Sequence, residues 1–178
     1  MGAREHDNSV AGAVNIAIRE AVIDDLVGVL AIYNEVIAFS TAVVSEQTVT
    51  LEDRERWLAA RQDQGYPVFV ACDSSGVVGF GSFGDFRAWP GYRYTVEHSV
   101  HVRADRRGEG IGTELVRVLI ERAAALGKHV MIAGIEAENA ASIRLHERLG
   151  FTVAARLSEV ARKFDRWLDL LFLERRLP

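Results

Sequence analysis

The stretch Val96-Glu97-His98-Ser99-Val100-His101-Val102-Arg103-Ala104-Asp105-Arg106-Arg107-Gly108-Glu109-Gly110-Ile111-Gly112 sets a carboxylate inside a valine-rich run and follows it with arginines and three closely spaced glycines. Tyr94 to Val102 reads as a strand, and a helix from about Gly112 to Leu126, closed by Gly127, follows it. The glycines therefore fall at a strand-to-helix junction. There the unpaired backbone N–H groups and the helix dipole make an anion site. Glycine lets the main chain approach phosphate oxygens without a Cβ in the way, and it tolerates positive φ. The loop fits a diphosphate; a tight turn with surface arginines is the competing reading. A Rossmann fingerprint would need its third glycine at Thr113 and an opening βαβ unit, and a Walker A loop would need Gly-Lys-Ser/Thr after the glycines.

Outward from this segment, the pattern is that of one α+β domain. Asn15 to Arg19 reads as a first strand, and a helix starts at Asp24 or Asp25 and runs to about Ile37. Thr50 and Asp53 have capping-box spacing at the head of a second helix that ends near Gly65. Between these helices lies the irregular FSTAVVSEQTV. Pro67 to Asp73 and Val77 to Asp85 are strands joined by the hairpin signal Ser74-Ser75-Gly76. Beyond the central helix come a strand, His129 to Ile135, and a short helix, Ala140 to Leu149, closed by Gly150. Two last strands follow, Phe151 to Val160 and Trp167 to Arg175. An antiparallel meander thus precedes a strand-helix-strand-helix-strand run. Residues 1–14 read as a loose leader before a domain spanning 15–178.

Length and composition bound the function. With 178 residues, 49% hydrophobic and 26% charged, one compact domain with a sizeable core is expected. A formal charge of −4 supplies no global basic field for nucleic acid, although Arg103, Arg106 and Arg107 can meet a small polyanion. A single cysteine, Cys72, excludes an internal disulfide and fits a reducing cytoplasm. No apolar run approaches the roughly 20 residues that span a bilayer. His98 and His101, three apart on a strand, point to opposite faces, so no metal site is expected.

A second segment, Asn139-Ala140-Ala141-Ser142-Ile143-Arg144-Leu145-His146-Glu147-Arg148-Leu149-Gly150-Phe151, completes a pair of signatures. Arg107, Gly110 and Gly112 supply R-x-x-G-x-G, and the second segment supplies Asn…Ser…Leu-Gly-Phe. In that order they resemble the GNAT superfamily of acyl-CoA-dependent N-acetyltransferases. Within it the chain is similar to phosphinothricin and methionine sulfone/sulfoximine N-acetyltransferases from Ile18 to Leu173, through GYPVFVA, SFGDFRAWPGYRYTVEHSV and RKFDRWLDL. The resemblance implies a GNAT fold: a central mixed, mostly antiparallel sheet flanked by about four helices. It implies acetyl-CoA as cosubstrate, no metal, a small amino-acid-like amine as acceptor, and a homodimer. It also implies that the main chain of Val100, His101 and Val102 runs along the pantetheine arm. Arg107, Gly108, Glu109, Gly110, Ile111, Gly112 and Thr113 would cradle the diphosphate, with Asn139 and Ser142 meeting the cofactor arm. Arg87, Ala88 and Trp89, with Glu97, His98 and Ser99, would wall the acceptor. The chain departs from its relatives at His101, often tyrosine, at Val44, often tryptophan, and at Asp165, often glycine.

The chemistry asks for a base, because an amino acid carries an ammonium at neutral pH and attacks a thioester only once its lone pair is free. Glu97 precedes the glycine loop by about ten residues, on the order of 30 Å when extended, which suits a cofactor whose diphosphate lies far from its sulfur. Partial burial beside Val96 and Val100 would raise its pKa toward the task; a plain strand glutamate paired to Arg93 or Arg103 is the alternative. His146 shares a helix face with Ser142 and Asn139. It stands where many GNAT enzymes carry a tyrosine acid, and acts either on the leaving thiolate or as a positioning group. Oxyanion donors are expected from the strand after Glu97, where a distorted ladder frees N–H groups. A guanidinium at Arg87 can grip an α-carboxylate, and Trp89 can cover an apolar side chain. Two other functions share these features: an acetyltransferase for a protein N-terminus or other amine, and a non-catalytic acyl-CoA sensor.

Overall fold

A computed structural model describes residues 16–178; the expected leader and the start of the first strand at Asn15 lie outside the described residues. Among the described residues seven strands form one sheet: β1 (Ala17–Glu20), β2 (Val68–Asp73), β3 (Gly76–Asp85), β4 (Thr95–Val102), β5 (Val130–Glu136), β6 (Thr152–Lys163) and β7 (Arg166–Arg176). Their order is β1-β2-β3-β4-β5-β7-β6. Among the described residues only the β4–β5 pair is parallel. The helices are α1 (Leu26–Phe39), α2 (Leu51–Asp63), α3 (Ile111–Ala125) and α4 (Ala140–Arg148), with short 3-10 turns at Ile23–Asp25, Pro90–Tyr92 and Ala104–Arg106.

The helices divide between the two faces of the sheet. Leu26, Val29 and Ile32 of α1 and Leu58 of α2 bury themselves on Val70 and Phe80. On the other face Val116, Leu119 and Ile120 of α3 pack with Phe83, Val96, Met131 and Phe151. The first turn of α2 has the capping box expected from its sequence: Thr50 Oγ1 accepts from the Asp53 N–H at 3.2 Å, and Asp53 Oδ2 accepts from the Thr50 N–H at 2.8 Å. Gly65, just past α2, takes a φ of 70°, as a C-terminal glycine should.

The last two strands differ from their expected limits. They run on to Lys163 and start again at Arg166, so only Phe164 and Asp165 turn the chain, with φ of 52° and 57°. Those angles belong to the type I′ turn, whose two positive φ values Asn-Gly or Asp-Gly ordinarily signal. Phe-Asp carries no such signal, so the sequence hides the turn. Below it lies Lys163, 1% exposed, whose Nζ donates to the carbonyls of Ile37, Ser40 and Val43 at 2.6–2.7 Å. This ammonium fastens the end of α1 and the irregular segment after it to the hairpin.

Candidate active site

The sheet forks at its centre. β4 and β5 pair from Thr95↔Val130 to His98↔Ala133 and then part. Beyond that point Ser99–Val102 pair with β3 alone, and Gly134–Glu136 with β7 alone. The β5-facing edge of Ser99–Val102 thus keeps main-chain donors and acceptors free of a ladder. The expected distortion after Glu97 takes this form; the register between β3 and β4 runs unbroken from Gly79↔Val102 to Asp85↔Val96. Parting of a parallel pair, with no bulge in β4, frees the N–H groups.

Past the fork the chain enters the glycine loop, and the three glycines serve different ends. Gly108 and Gly110 adopt φ of 86° and 84°, a region that side chains with a Cβ avoid. Gly110 caps α3 with no side-chain hydrogen bond, which leaves the first-turn N–H groups of Ile111, Gly112 and Thr113 free of a cap. Gly112 has ordinary φ but packs close: a Cβ there would stand 3.2 Å from Leu145 of α4. Arg106 is engaged by Asp73 and Glu109, and Arg103 by Asp105. Of the arginine cluster only Arg107 has no carboxylate partner among the described residues; its Nε donates to the Val102 carbonyl at 3.1 Å. An open helix start, two glycines with no atom within 4 Å of a built Cβ, and one available guanidinium fit a diphosphate. The free edge of β4 fits an extended amide chain.

Side chains of β4 alternate between the two helical layers. His101 meets Tyr33 of α1 and Phe80, with ring centroids 5.6 and 5.2 Å apart. Burial, with Arg54 and Arg107 nearby, drives its pKa down to about 4. Glu97 lies on the same face, half-buried. Burial raises its carboxyl pKa, and the charge of Arg87 offsets part of that. Neither Arg93 nor Arg103 pairs with it: Arg93 donates to the Pro90 carbonyl and Arg103 to Asp105. Arg87, Ala88 and Trp89 are exposed, Trp89 at 76%. The Arg87 guanidinium lies 5.0 Å from the Phe86 ring, and Phe86 meets Phe172 of β7. Thr41, in the segment after α1, donates to Glu136 at 3.1 Å, so that segment reaches the open end of the fork; Val44 is half-exposed within it.

His98 and His146 occupy the other face. Both are buried, and their Nε2 atoms stand 3.2 Å apart with the rings stacked. His146 Nδ1 lies 2.7 Å from the Ser142 carbonyl, to which only an N–H can donate. That fixes His146 Nε2 as an acceptor and His98 Nε2 as its donor. His98 Nδ1 is left buried without a partner. Burial lowers both pKa values, His98 to about 3. The side chain of His98 therefore points to the opposite face of the sheet from Glu97, with which the sequence groups it as an acceptor residue. His146 points inward to His98 and Phe151, and its one proton is committed to Ser142. Asn139 caps α4 by accepting from the Ser142 N–H at 3.1 Å, which places it and the first turn of α4 beyond the open end of β5. Among the described residues no group of His, Cys, Asp or Glu has the arrangement of a metal site.

Comparison with known proteins decides the family. Residues 29–151 match the acetyltransferase (GNAT) family model. The chain belongs to the GNAT acetyltransferases. An L-methionine sulfoximine/L-methionine sulfone acetyltransferase of Pseudomonas paraeruginosa is 51% identical over 162 residues, covering 90% of this chain and 94% of that protein. A phosphinothricin N-acetyltransferase of Streptomyces coelicolor is 34% identical over 93% of this chain and 99% of its own. The structure of yncA from Salmonella typhimurium, solved with its cofactor acetyl-CoA, superposes with a TM-score of 0.90 at 48% identity, over 92% of this chain and 95% of that one. The sequence did not mark Lys163, the His98–His146 pair or Gly134; each depends on residues far apart in the chain, and no local pattern carries them.

Proposed function

We propose that this GNAT enzyme moves an acetyl group from acetyl-CoA to the α-amine of a small amino-acid analogue of the methionine sulfone, methionine sulfoximine or phosphinothricin kind. The observation that carries the reading is the Glu97 carboxylate. It is half-buried, without an ion-pair partner among the described residues, and stands one residue before the last β4–β5 pair at the fork. Its raised pKa brings it closer to the amine whose proton it takes. The freed nitrogen attacks the thioester carbonyl carbon, the N–C bond forms, the C–S bond breaks, and CoA leaves as its thiolate. The ammonium's first proton passes to Glu97 and then to solvent; the nitrogen sheds its second to solvent as the amide forms, and the departing thiolate takes one up to end as the CoA thiol. N–H groups on the free edge of Ser99–Val102 meet the carbonyl oxygen as it gains charge. A thiol of pKa near 8.5 leaves with little help. His146, neutral and bonded to Ser142 and His98, positions α4 against β4 instead of donating a proton. Arg107, Gly108, Glu109, Gly110, Ile111, Gly112 and Thr113 hold the diphosphate through their main chain, with Asn139 and Ser142 beside the cofactor arm. Arg87 takes the acceptor's carboxylate, and Ala88, Trp89 and Ser99 border it.

The edge strand β6 supports a homodimer: Val153, Val160 and Trp167 are 52%, 51% and 61% exposed on this hairpin, more apolar surface than a free edge favours. A reducing cytoplasm suits the single free thiol, Cys72. Acetylation assays decide the acceptor. With acetyl-CoA present, methionine sulfone, methionine sulfoximine and phosphinothricin should release CoA far faster than a peptide bearing a free N-terminus. Faster turnover of the peptide would move the chain to the protein-acetylating class, and CoA binding with no turnover of any amine would make it a sensor.

A further inference from the structure

Two glycines flank Glu97 on its own face of the sheet, and they are used in opposite ways. Gly84 of β3 is the direct partner of Glu97, and it is buried because the Arg61 guanidinium fills the place of its missing side chain. Gly134 of β5 lies two residues beyond Ile132, the other partner of Glu97, and therefore shares that face. It is the first β5 residue past the fork. Its neighbours Ile132, Ala133 and Ile135 are buried, yet Gly134 is exposed in the middle of a central strand. Its φ is not in the left-handed region, so no backbone conformation demands glycine here. A glycine in a strand costs stability relative to alanine and marks places where another group comes close to the backbone.

The surroundings say which group. A Cβ built on Gly134 would stand 2.8 Å from Glu97 Oε1, 3.7 Å from Phe172 Cε1 and 3.8 Å from Leu170 Cδ1. A Cβ there would press on the Glu97 carboxylate, which stands inside ordinary contact distance, while the apolar carbons lie at ordinary contact distance on the other side; the exposed space over Gly134 lies between them. We infer that Gly134 is a specificity-determining residue: it forms the floor of the acceptor pocket and holds open the volume beside Glu97 into which the acceptor's amine and the first carbons of its side chain fit. This rests on the reading of Glu97 as the base. Phe172 and Leu170 give the pocket an apolar wall suited to methylene groups, and the bulk at position 134 sets how large an acceptor reaches the carboxylate.

Steady-state kinetics of Gly134→Ala and Gly134→Val with methionine sulfone, alongside calorimetric acetyl-CoA binding and Glu97→Gln, test this. One added carbon in such a pocket is worth about tenfold or more. Gly134→Ala should therefore lower kcat/KM for methionine sulfone about tenfold, with KM raised and some loss of kcat as the new Cβ displaces the Glu97 carboxylate, and Gly134→Val should lower it further. Acetyl-CoA affinity and the melting temperature should stay near wild type, since alanine and valine suit a strand better than glycine does. An unchanged KM in Gly134→Ala, or a loss matched by an equal loss of acetyl-CoA affinity, overturns the inference. Failure of the base reading looks different: Glu97→Gln would keep its turnover, whatever Gly134→Ala does to KM.

Discussion

The two faces of β4 treat buried polar groups in opposite ways. On one face Glu97 is desolvated enough to raise its pKa but remains beside an exposed glycine and the open fork. On the other, His98 and His146 are closed in, bonded to each other, and held neutral. Glu97 and His98 are consecutive residues, yet the strand's alternation sends them into different environments. Desolvation with an opening leaves a titratable group able to exchange a proton with a ligand. Desolvation without one turns the same kind of group into a strut. Lys163 is a second strut, with all three of its donors used on carbonyls.

The contrast breaks most directly at Glu97. Glu97→Gln should lower turnover about 10²- to 10⁴-fold while acetyl-CoA affinity, read by calorimetry, is kept. Because burial makes the charged form costly, the same variant should melt slightly higher at neutral pH. In the wild type the acid limb of kcat/KM should lie above the ordinary glutamate range, since activity needs the deprotonated form of a group whose pKa is raised. Lys163→Met is the next largest effect. It keeps the stem but strips three carbonyls of their donor, so unfolding free energy measured by denaturant titration should fall by about 3 kcal/mol. A loss of that size with acetyl-CoA affinity unchanged would mark Lys163 as a strut.

The histidine pair gives a smaller, pH-dependent signature. Folded His98 and His146 have depressed pKa values, while in the unfolded chain each takes up a proton near pH 6.5. The unfolded state therefore binds more protons below that pH. The pair's contribution is complete above about 6.5 and is lost as pH falls below it, with a slope of up to about 1.4 kcal/mol per pH unit for each histidine. Melting curves of His98→Gln between pH 7 and 5 should show a shallower slope than wild type; an equal slope would place the acid sensitivity elsewhere. The smallest effect is at the turn beside Lys163. Asp165→Gly relieves a side chain at φ of 57° and should stabilise the chain by about 1 kcal/mol.

Much of the fold was written locally. The Thr50–Asp53 box, the glycines closing α2, α3 and α4, and the β2–β3 turn all act within a few residues, and the structure places each element within a few residues of its expected limits. The Phe164–Asp165 turn was not legible, because its positive φ angles are imposed by strand pairing and run against local preference. The β7-between-β5-and-β6 order was likewise a matter of long-range pairing.

The candidate site divides along the same line. The sequence alone determined the glycine loop proposed as the phosphate cradle, since an anion site at a helix start is built from contiguous residues whose φ and N–H groups are local properties. It also placed Glu97 on a strand upstream. Only the tertiary structure decided where β4 and β5 part, that His98 faces away from Glu97 to bond His146, and that Gly134 lies open beside the carboxylate while Gly84 is filled by Arg61. Those facts depend on which distant segments come to share a face and how much water they exclude, and burial is a property of the assembled sheet and helices that no short stretch of sequence contains.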